Sequence, residues 1–186
     1  MNLLSLSLLK FIARRRPVKQ IFLDNKPYLE RFYLFHLFGH TYYLHRMLAP
    51  DGDRDLHNHP WQHAYSIILH GSYIERRLEF GFQKRKIEYI SPEVINIIRG
   101  YYFYCNVSKI NKLGEYSWHT IMEIYEPETW TLFWHSKWFR SWGFLRSNGF
   151  ESAREKIDGS YSSEWWKKED CPKGKDVMSG EKIGSG

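Results

Sequence analysis

The spacing of the hydrophobic residues changes near residue 18. Before that point, apolar side chains recur at the intervals of a helix, at Leu4, Leu8, Phe11 and Ile12. This spacing predicts a short amphipathic helix over residues 2–13 that ends before Pro17 and packs on the outside of the domain. A helix lying on an anionic membrane or a partner is the alternative, because three arginines follow the apolar run.

From Lys19 to about Leu145, short runs rich in aromatic and β-branched residues are separated by turn residues such as His70-Gly71-Ser72. Short strands at regular spacing indicate an all-β sandwich or barrel. The predicted strands cover residues 19–23, 29–37, 41–48, 61–69, 72–79, 85–90, 94–98, 101–107, 117–125 and 129–135.

The pattern weakens beyond Trp142. Residues 150–157 predict one or two helical turns, and from Lys167 onward the polar composition predicts a disordered tail. The chain therefore divides into an N-terminal helix (1–17), a β-barrel domain (18–150) and a helical turn with a polar tail (151–186).

Composition narrows the functional classes. The 186 residues fit one domain, and the formal net charge of +6 is scattered, which favours a solvated surface over nucleic-acid binding. Two cysteines without paired spacing, Cys105 and Cys171, predict no disulfide framework and a cytoplasmic location. No apolar run reaches the roughly 20 residues of a membrane span.

Histidines form the strongest chemical signal. In a regular strand, His57, His59, Trp61 and His63 would share one face. Two imidazoles on one face can bind a divalent ion such as Fe, Zn, Mn or Ni, and His119 on a late strand is the best third ligand. An HxH pair can equally be two surface histidines, and the other histidines are expected to be core or surface residues.

Further candidates surround this cluster. Trp61 and Trp130 could stack on a flat ligand, although both also suit a barrel core. Arg46 and Arg54 could grip a carboxylate or phosphate, or form salt bridges. The candidate acid–base groups are Tyr65, Tyr73 and Glu75.

Two sequence segments carry a family resemblance. Residues 54–61 (RDLHNHPW) and 66–75 (SIILHGSYIE) resemble a group of small bacterial and phage cupins, which have an H-x-H-P-W box and then a Gly-x-Tyr-x-Glu turn. The resemblance covers about residues 28–145. It implies a cupin-type antiparallel barrel (jelly roll, double-stranded β-helix), with His57 and His59 as the first motif's pair and His119 as the second motif's histidine. His63, the candidate fourth ligand, stands where many cupins have a glutamate.

Three functions remain open. The first is a metal-dependent oxygenase or isomerase that acts on a small, anionic substrate. The second is a metal-free sugar isomerase or epimerase, with His59 or His119 paired with Tyr65 or Tyr73. The third is a module that binds a nucleotide or sugar phosphate without turnover.

The sequence also predicts a homodimer. The N-terminal helix and strand 19–23 carry apolar residues that a small barrel need not bury by itself, and Trp134, Trp138 and Trp142 recur at four-residue spacing. Dense aromatic residues at a domain edge favour an interface, with a lid over a monomer as the alternative.

Overall fold

The computed structural model describes residues 3–23, 25–52, 56–79, 103–106, 110–114, 117–146, 149–153 and 164–178. It begins with helix α1, Leu6–Arg14, where the Ser5 side chain accepts a hydrogen bond from the Leu8 N–H at 3.3 Å. A serine N-cap satisfies one of the free amides of the first helical turn, which explains why the helix starts there rather than at residue 2. None of the described helices is long and apolar enough to cross a membrane.

Antiparallel strands make up most of the described chain. They are β1 Val18–Leu23, β2 Lys26–Leu37, β3 His40–Met47, β4 Ala64–His70, β5 Tyr73–Glu79, β6 Phe103–Asn106, β7 Ile110–Leu113, β8 Ser117–Ile124, β9 Thr129–His135, β10 Gly143–Arg146 and β11 Gly149–Ser152.

The strands form two layers. One is a six-stranded sheet in the order β1-β2-β3-β9-β4-β7. The other contains β6-β5-β8 and the hairpin β10-β11, joined by residues 56–58, because His57 bridges to His119 on one side and to Phe144 on the other. Strands distant in sequence pair in this sheet, such as β3 with β9, and the antiparallel pairing confirms the all-β, antiparallel prediction.

The six-stranded sheet is covered on both faces. On the outer face, Phe32, Leu44 and Trp130 pack against Leu9 and Ala13 of α1, in a cluster where all five are almost fully buried. The expected place of the helix, on the outside of the β domain, is thereby confirmed. Of the predicted apolar stripe, Leu4 and Ile12 pack partly buried against this cluster, whereas Leu8 and Phe11 are 43% and 50% exposed. The helix is therefore held by the face that carries Leu9 and Ala13.

The inner face of the six-stranded sheet faces the second layer across a cavity of about 720 Å³. Side chains from both layers line it, including His45 and Phe133 from one sheet and Glu75 and His119 from the other. At one end the layers touch, because Ile68 packs with Tyr73 and Ile121. The cavity is thus a space between two layers held apart by their own side chains.

The turn at Gly71 is built as predicted. Gly71 has a φ of +78°, and a Cβ there would lie 2.6 Å from the Thr129 Oγ1 atom and 2.9 Å from the Glu128 carbonyl oxygen. A side chain is excluded both by the backbone conformation and by the close approach of the neighbouring segment.

The C-terminal segment corrects the prediction of a disordered tail for residues 167–178. Trp166 stacks on Tyr33 with ring centroids 4.4 Å apart, and Met178 is 1% exposed in the cluster beneath α1. A short helix α2, Gly174–Val177, precedes Met178. The tail was predicted to be disordered from its average polar composition, which does not reveal the few apolar residues that anchor it. Residues 179–186 lie outside the described chain.

Other differences concern element boundaries. The predicted strand 61–69 begins only at Ala64, because Trp61 pairs as an isolated bridge with Trp138 and the residues between Trp61 and Ala64 form no ladder. Of the predicted helical turns over 150–157, the first residues belong to β11 instead. Strands 85–90 and 94–98 fall outside the described residues, while barrel closure and jelly-roll connectivity stay predictions.

The residues expected at a dimer interface are divided between the core and the surface. One face of α1 is buried in the core, whereas Leu8 and Phe11 of the helix and Phe22 of β1 are exposed. Trp134 stacks on Tyr42 and Tyr65. Trp142 lines the cavity, whereas Trp138 is 38% exposed. The homodimer stays a prediction.

Candidate metal centre and cavity

The first part of the candidate site is the extended segment 56–58. The His57 N–H donates to the His119 carbonyl and the His119 N–H to the His57 carbonyl, both at 2.9 Å. On the other side, the buried Asn58 accepts the Gly143 N–H through its Oδ1 atom at 2.9 Å. These bonds hold His57 and His119 directly opposite each other, although the two residues are 62 positions apart in the chain.

His57, His59 and His119 converge on one point. One ring nitrogen of each lies within 4.8 Å of the others, and the His59 and His119 Nε2 atoms are 2.7 Å apart. An ion with bonds of about 2.1 Å separates its nitrogen ligands by roughly 3.0–3.4 Å. Small ring movements therefore suffice to admit a divalent ion, and the donor set fits one.

Glu75 orients the third histidine. Its Oε1 atom lies 2.6 Å from the His119 Nδ1 atom, and Glu75 is only 2% exposed. Since the carboxylate accepts, the proton of a neutral His119 resides on Nδ1 and the Nε2 lone pair points at His59. A carboxylate behind a ligating imidazole is the arrangement that fixes tautomer and ring orientation in metal sites.

The electrostatics favour neutral, ligand-competent groups. Burial is the largest cause that holds the pKa of His59 well below its usual value, and electrostatic repulsion by His119, His57 and Arg31 lowers it further. A metal ligand must be deprotonated, so this shift favours binding at neutral pH. Burial and the nearby Glu75 raise the pKa of Tyr73 well above its usual value, so its phenol keeps its proton.

The predicted fourth ligand does not join the cluster. Among the described residues, the convergent group contains His57, His59 and His119 without His63. The chain is not a regular strand between His57 and His63, so the two-residue alternation that placed His63 on the same face fails there. The fourth-ligand prediction is corrected accordingly.

Trp61, Tyr73 and Glu75 line the cavity. Trp61 stacks on His59 with centroids 5.1 Å apart, and the Tyr73 hydroxyl accepts a hydrogen bond from Asn111 at 3.2 Å. These three predicted site residues therefore lie beside the histidine cluster.

Three other predicted site residues lie elsewhere. Trp130 is fully buried under α1, and Arg46 lies on the same outer face, where it contacts Glu30 and Glu128. Tyr65 points outward and stacks on Trp134. Because successive side chains of a strand point to opposite faces, each of these three points away from the cavity, and its predicted ligand or catalytic role is corrected. Arg54 lies outside the described residues.

Arg31 and His45 line the cavity but were not among the predicted site residues. The Arg31 Nε donates to the His45 Nε2 at 3.0 Å, and the two residues lie opposite each other on β2 and β3. The available signal was that Arg31 alternates with Leu29 and Tyr33, which places a cation on an otherwise apolar strand face.

Fold and site together define the class: an all-β, antiparallel protein with three convergent histidines that line an interior cavity. No family model and no curated protein sequence matches the chain.

Nine chains among the solved structures match it. They include Fe(II) HppE (13% identity, 64% of this chain and 56% of that chain, TM-score 0.43). Another is Fe(II)-HppE with the alternative substrate (S)-1-HPP (12%, 66% and 56%, TM-score 0.42). A third is hydroxypropylphosphonic acid epoxidase from S. wedmorenis (12%, 66% and 55%, TM-score 0.39). The chain thus spans little more than half of these structures, and likenesses this distant leave its activity to be argued from its own residues.

Proposed function

We propose that this chain is a metal-dependent cupin enzyme that acts on a small, anionic substrate. His57, His59 and His119 would hold one divalent ion inside the cavity. The observation that carries the proposal is the convergence of three imidazoles, one of them oriented by the buried carboxylate of Glu75.

The donor set suits several ions. Three neutral nitrogen ligands without a carboxylate accept Fe, Zn, Mn or Ni, and they leave coordination positions open for water or substrate. A bound ion would supply Lewis-acid polarisation for an isomerisation or, if it is iron, dioxygen chemistry for an oxygenation.

The chain's own residues would supply positioning and proton control. Glu75 keeps the proton of His119 on Nδ1, which leaves Nε2 for the ion. The Tyr73 hydroxyl accepts a hydrogen bond from Asn111 and keeps its proton at neutral pH, so it can donate a hydrogen bond to a substrate. Trp61 covers one side of His59 and limits the access of water to that ligand.

Metal content tests the proposal. Protein purified without chelator or histidine tag should contain close to one equivalent of a divalent metal, and a His57→Ala/His59→Ala variant should contain almost none. A His36→Ala/His40→Ala variant is the matched control, because it removes two histidines of the β2–β3 hairpin. Sub-stoichiometric metal that does not fall further in the His57→Ala/His59→Ala variant would contradict the proposal.

A metal-free isomerase is the second candidate, because Tyr73, His59 and His119 line one cavity. In that mechanism a histidine removes a proton and the tyrosine returns one. Turnover of a substrate would then survive chelation and be lost in Tyr73→Phe, whereas the metal-dependent enzyme would lose turnover on chelation. Tyr65 cannot take this role, since it faces away from the cavity.

A further inference from the structure

We infer that Arg31 is the anion anchor of the cavity: its guanidinium binds a carboxylate or phosphoryl group of the molecule that reaches the histidine cluster. This inference rests on the proposed function for what lies at the other end of the molecule, but the anion site itself can be tested without metal.

Arg31 lies in a row of polar side chains across the inner face of the sheet. It is paired with Lys19 of β1 on one side and with His45 of β3 on the other, and all three line the cavity. Residues directly opposite each other in antiparallel strands share a face. The register therefore brings two cationic side chains to the same part of the cavity wall.

The charge of Arg31 is not matched by an acid. Within the described part of the chain, no carboxylate forms an ion pair with it, and its one side-chain hydrogen bond goes to neutral His45. Arg46, which follows His45 on β3 and points to the opposite face of the sheet, contacts both Glu30 and Glu128. Cations inside proteins are normally paired with acids. Of the two arginines, Arg31 is therefore the one that is available to an external anion.

His45 and three aromatic rings hold the Arg31 guanidinium in place and leave its two terminal nitrogens available to a ligand. The Nε–H is used by His45, whereas the two terminal nitrogens carry the remaining donors. The guanidinium carbon lies 5.4 Å from the Tyr43 ring centroid, 5.8 Å from that of Trp61 and 5.9 Å from that of Phe133. Aromatic faces stabilise a cation without consuming its hydrogen-bond donors.

The same aromatic residues connect Arg31 with the histidine cluster. The Trp61 ring centroid is 5.8 Å from the guanidinium carbon and 5.1 Å from the His59 ring. Phe133 likewise lies near both Arg31 and His59. A molecule of a few carbon atoms in this part of the cavity can therefore contact Arg31 with one end and the histidine cluster with the other.

Lys19 adds a second positive charge to this part of the cavity wall. Burial, followed by the positive charges of Arg31 and Lys168, lowers the pKa of Lys19. An anion bound at Arg31 would be attracted by both cations. A planar guanidinium is matched best by a group with two oxygens in one plane, which carboxylate and phosphoryl groups share.

Binding of inorganic phosphate and of acetate to chelator-treated protein tests the inference by isothermal titration calorimetry. At least one of the two anions should bind the unmodified protein, and which binds more tightly distinguishes a phosphoryl from a carboxylate site. Arg31→Gln should weaken that binding about 10–100-fold, the usual range for loss of charge-assisted hydrogen bonds. Arg15→Gln, the same change on the exposed end of α1, should leave it within about twofold.

Two further variants separate this inference from the proposed function. His57→Ala/His59→Ala should lose metal yet still bind the anion, and Arg31→Gln should keep its metal content. Arg31→Lys, which keeps the charge but not the planar fork, should bind with intermediate affinity and serves if Arg31→Gln does not fold. The inference is overturned if neither anion binds the unmodified protein, if Arg31→Gln binds as well as the unmodified protein, or if Arg15→Gln loses as much affinity as Arg31→Gln.

Discussion

Replacing Arg46 by methionine should destabilise the protein rather than impair ligand binding. Arg46 lies beneath α1 with its Nη1 atom 3.2 Å from the Glu30 Oε2 atom, and its Nε atom contacts Glu128. Lys10 of the helix reaches Glu128 Oε1 at 2.9 Å. Glu30 is 2% exposed, so its carboxylate depends on protein partners rather than on water.

The size of the effect follows from what the substitution leaves behind. Methionine fills a similar volume, so little packing is lost, but Glu30 keeps only the Gln20 amide at 3.0 Å and Glu128 keeps only Lys10. Removing one partner of a buried ion pair costs about 3–5 kcal/mol. At roughly 2–4 °C per kcal/mol for a chain of this length, the melting temperature should fall by about 10 °C.

Urea unfolding followed by circular dichroism measures this loss, with Arg15→Met as the control for the same substitution at an exposed site. A second change, Glu30→Gln in the Arg46→Met background, should restore part of the stability because it removes the uncompensated buried charge. A loss below about 1 kcal/mol in Arg46→Met would refute the reasoning, since exposed ion pairs contribute that little.

Two further predictions concern the interior of the cavity. Glu75→Gln should weaken metal binding about 10–100-fold, because the carboxylate no longer orients His119, while Glu164→Gln on the surface should have no effect; competition with a chromophoric chelator measures both. Burial lowers the pKa of His45 well below its usual value and that of His135 to about 3, so both stay neutral in the folded state. Their contribution is then fully present above about pH 6.5 and is lost as the pH falls below it, at up to roughly 1.4 kcal/mol per pH unit for each histidine. Chelated protein should therefore be at least about 2–3 kcal/mol less stable to urea at pH 5.5 than at pH 7.5, because His59, whose pKa is lowered in the same way, adds to the loss from these two. Equal stability would mean that these histidines are not buried in the neutral form.

The sequence alone determined the class of fold and the main members of the candidate site. Strand alternation and turn residues placed most of the described strands, because local periodicity reports directly on which side chains are buried. His57 and His59 were identified by their spacing, and His119 by its position on a late strand. Glu75 and Tyr73 were also identified, but not the hydrogen bond between Glu75 and His119, which joins two strands through the register of one sheet.

Only the tertiary structure decided which face of each strand belongs to the site. Four consecutive residues of β3, Tyr43 to Arg46, are buried, because α1 covers one face of the sheet and the cavity lies on the other. Where both faces are buried, hydrophobicity cannot say which one holds the ligand. The sequence therefore pointed to Arg46 and not to Arg31 as an anion ligand, although the acids Glu30 and Glu128 lie on the side of Arg46 and the aromatic cavity wall lies on the other. The anchoring of residues 167–178 was equally out of reach, because it depends on one tryptophan and one methionine that contact elements more than 100 positions earlier in the chain.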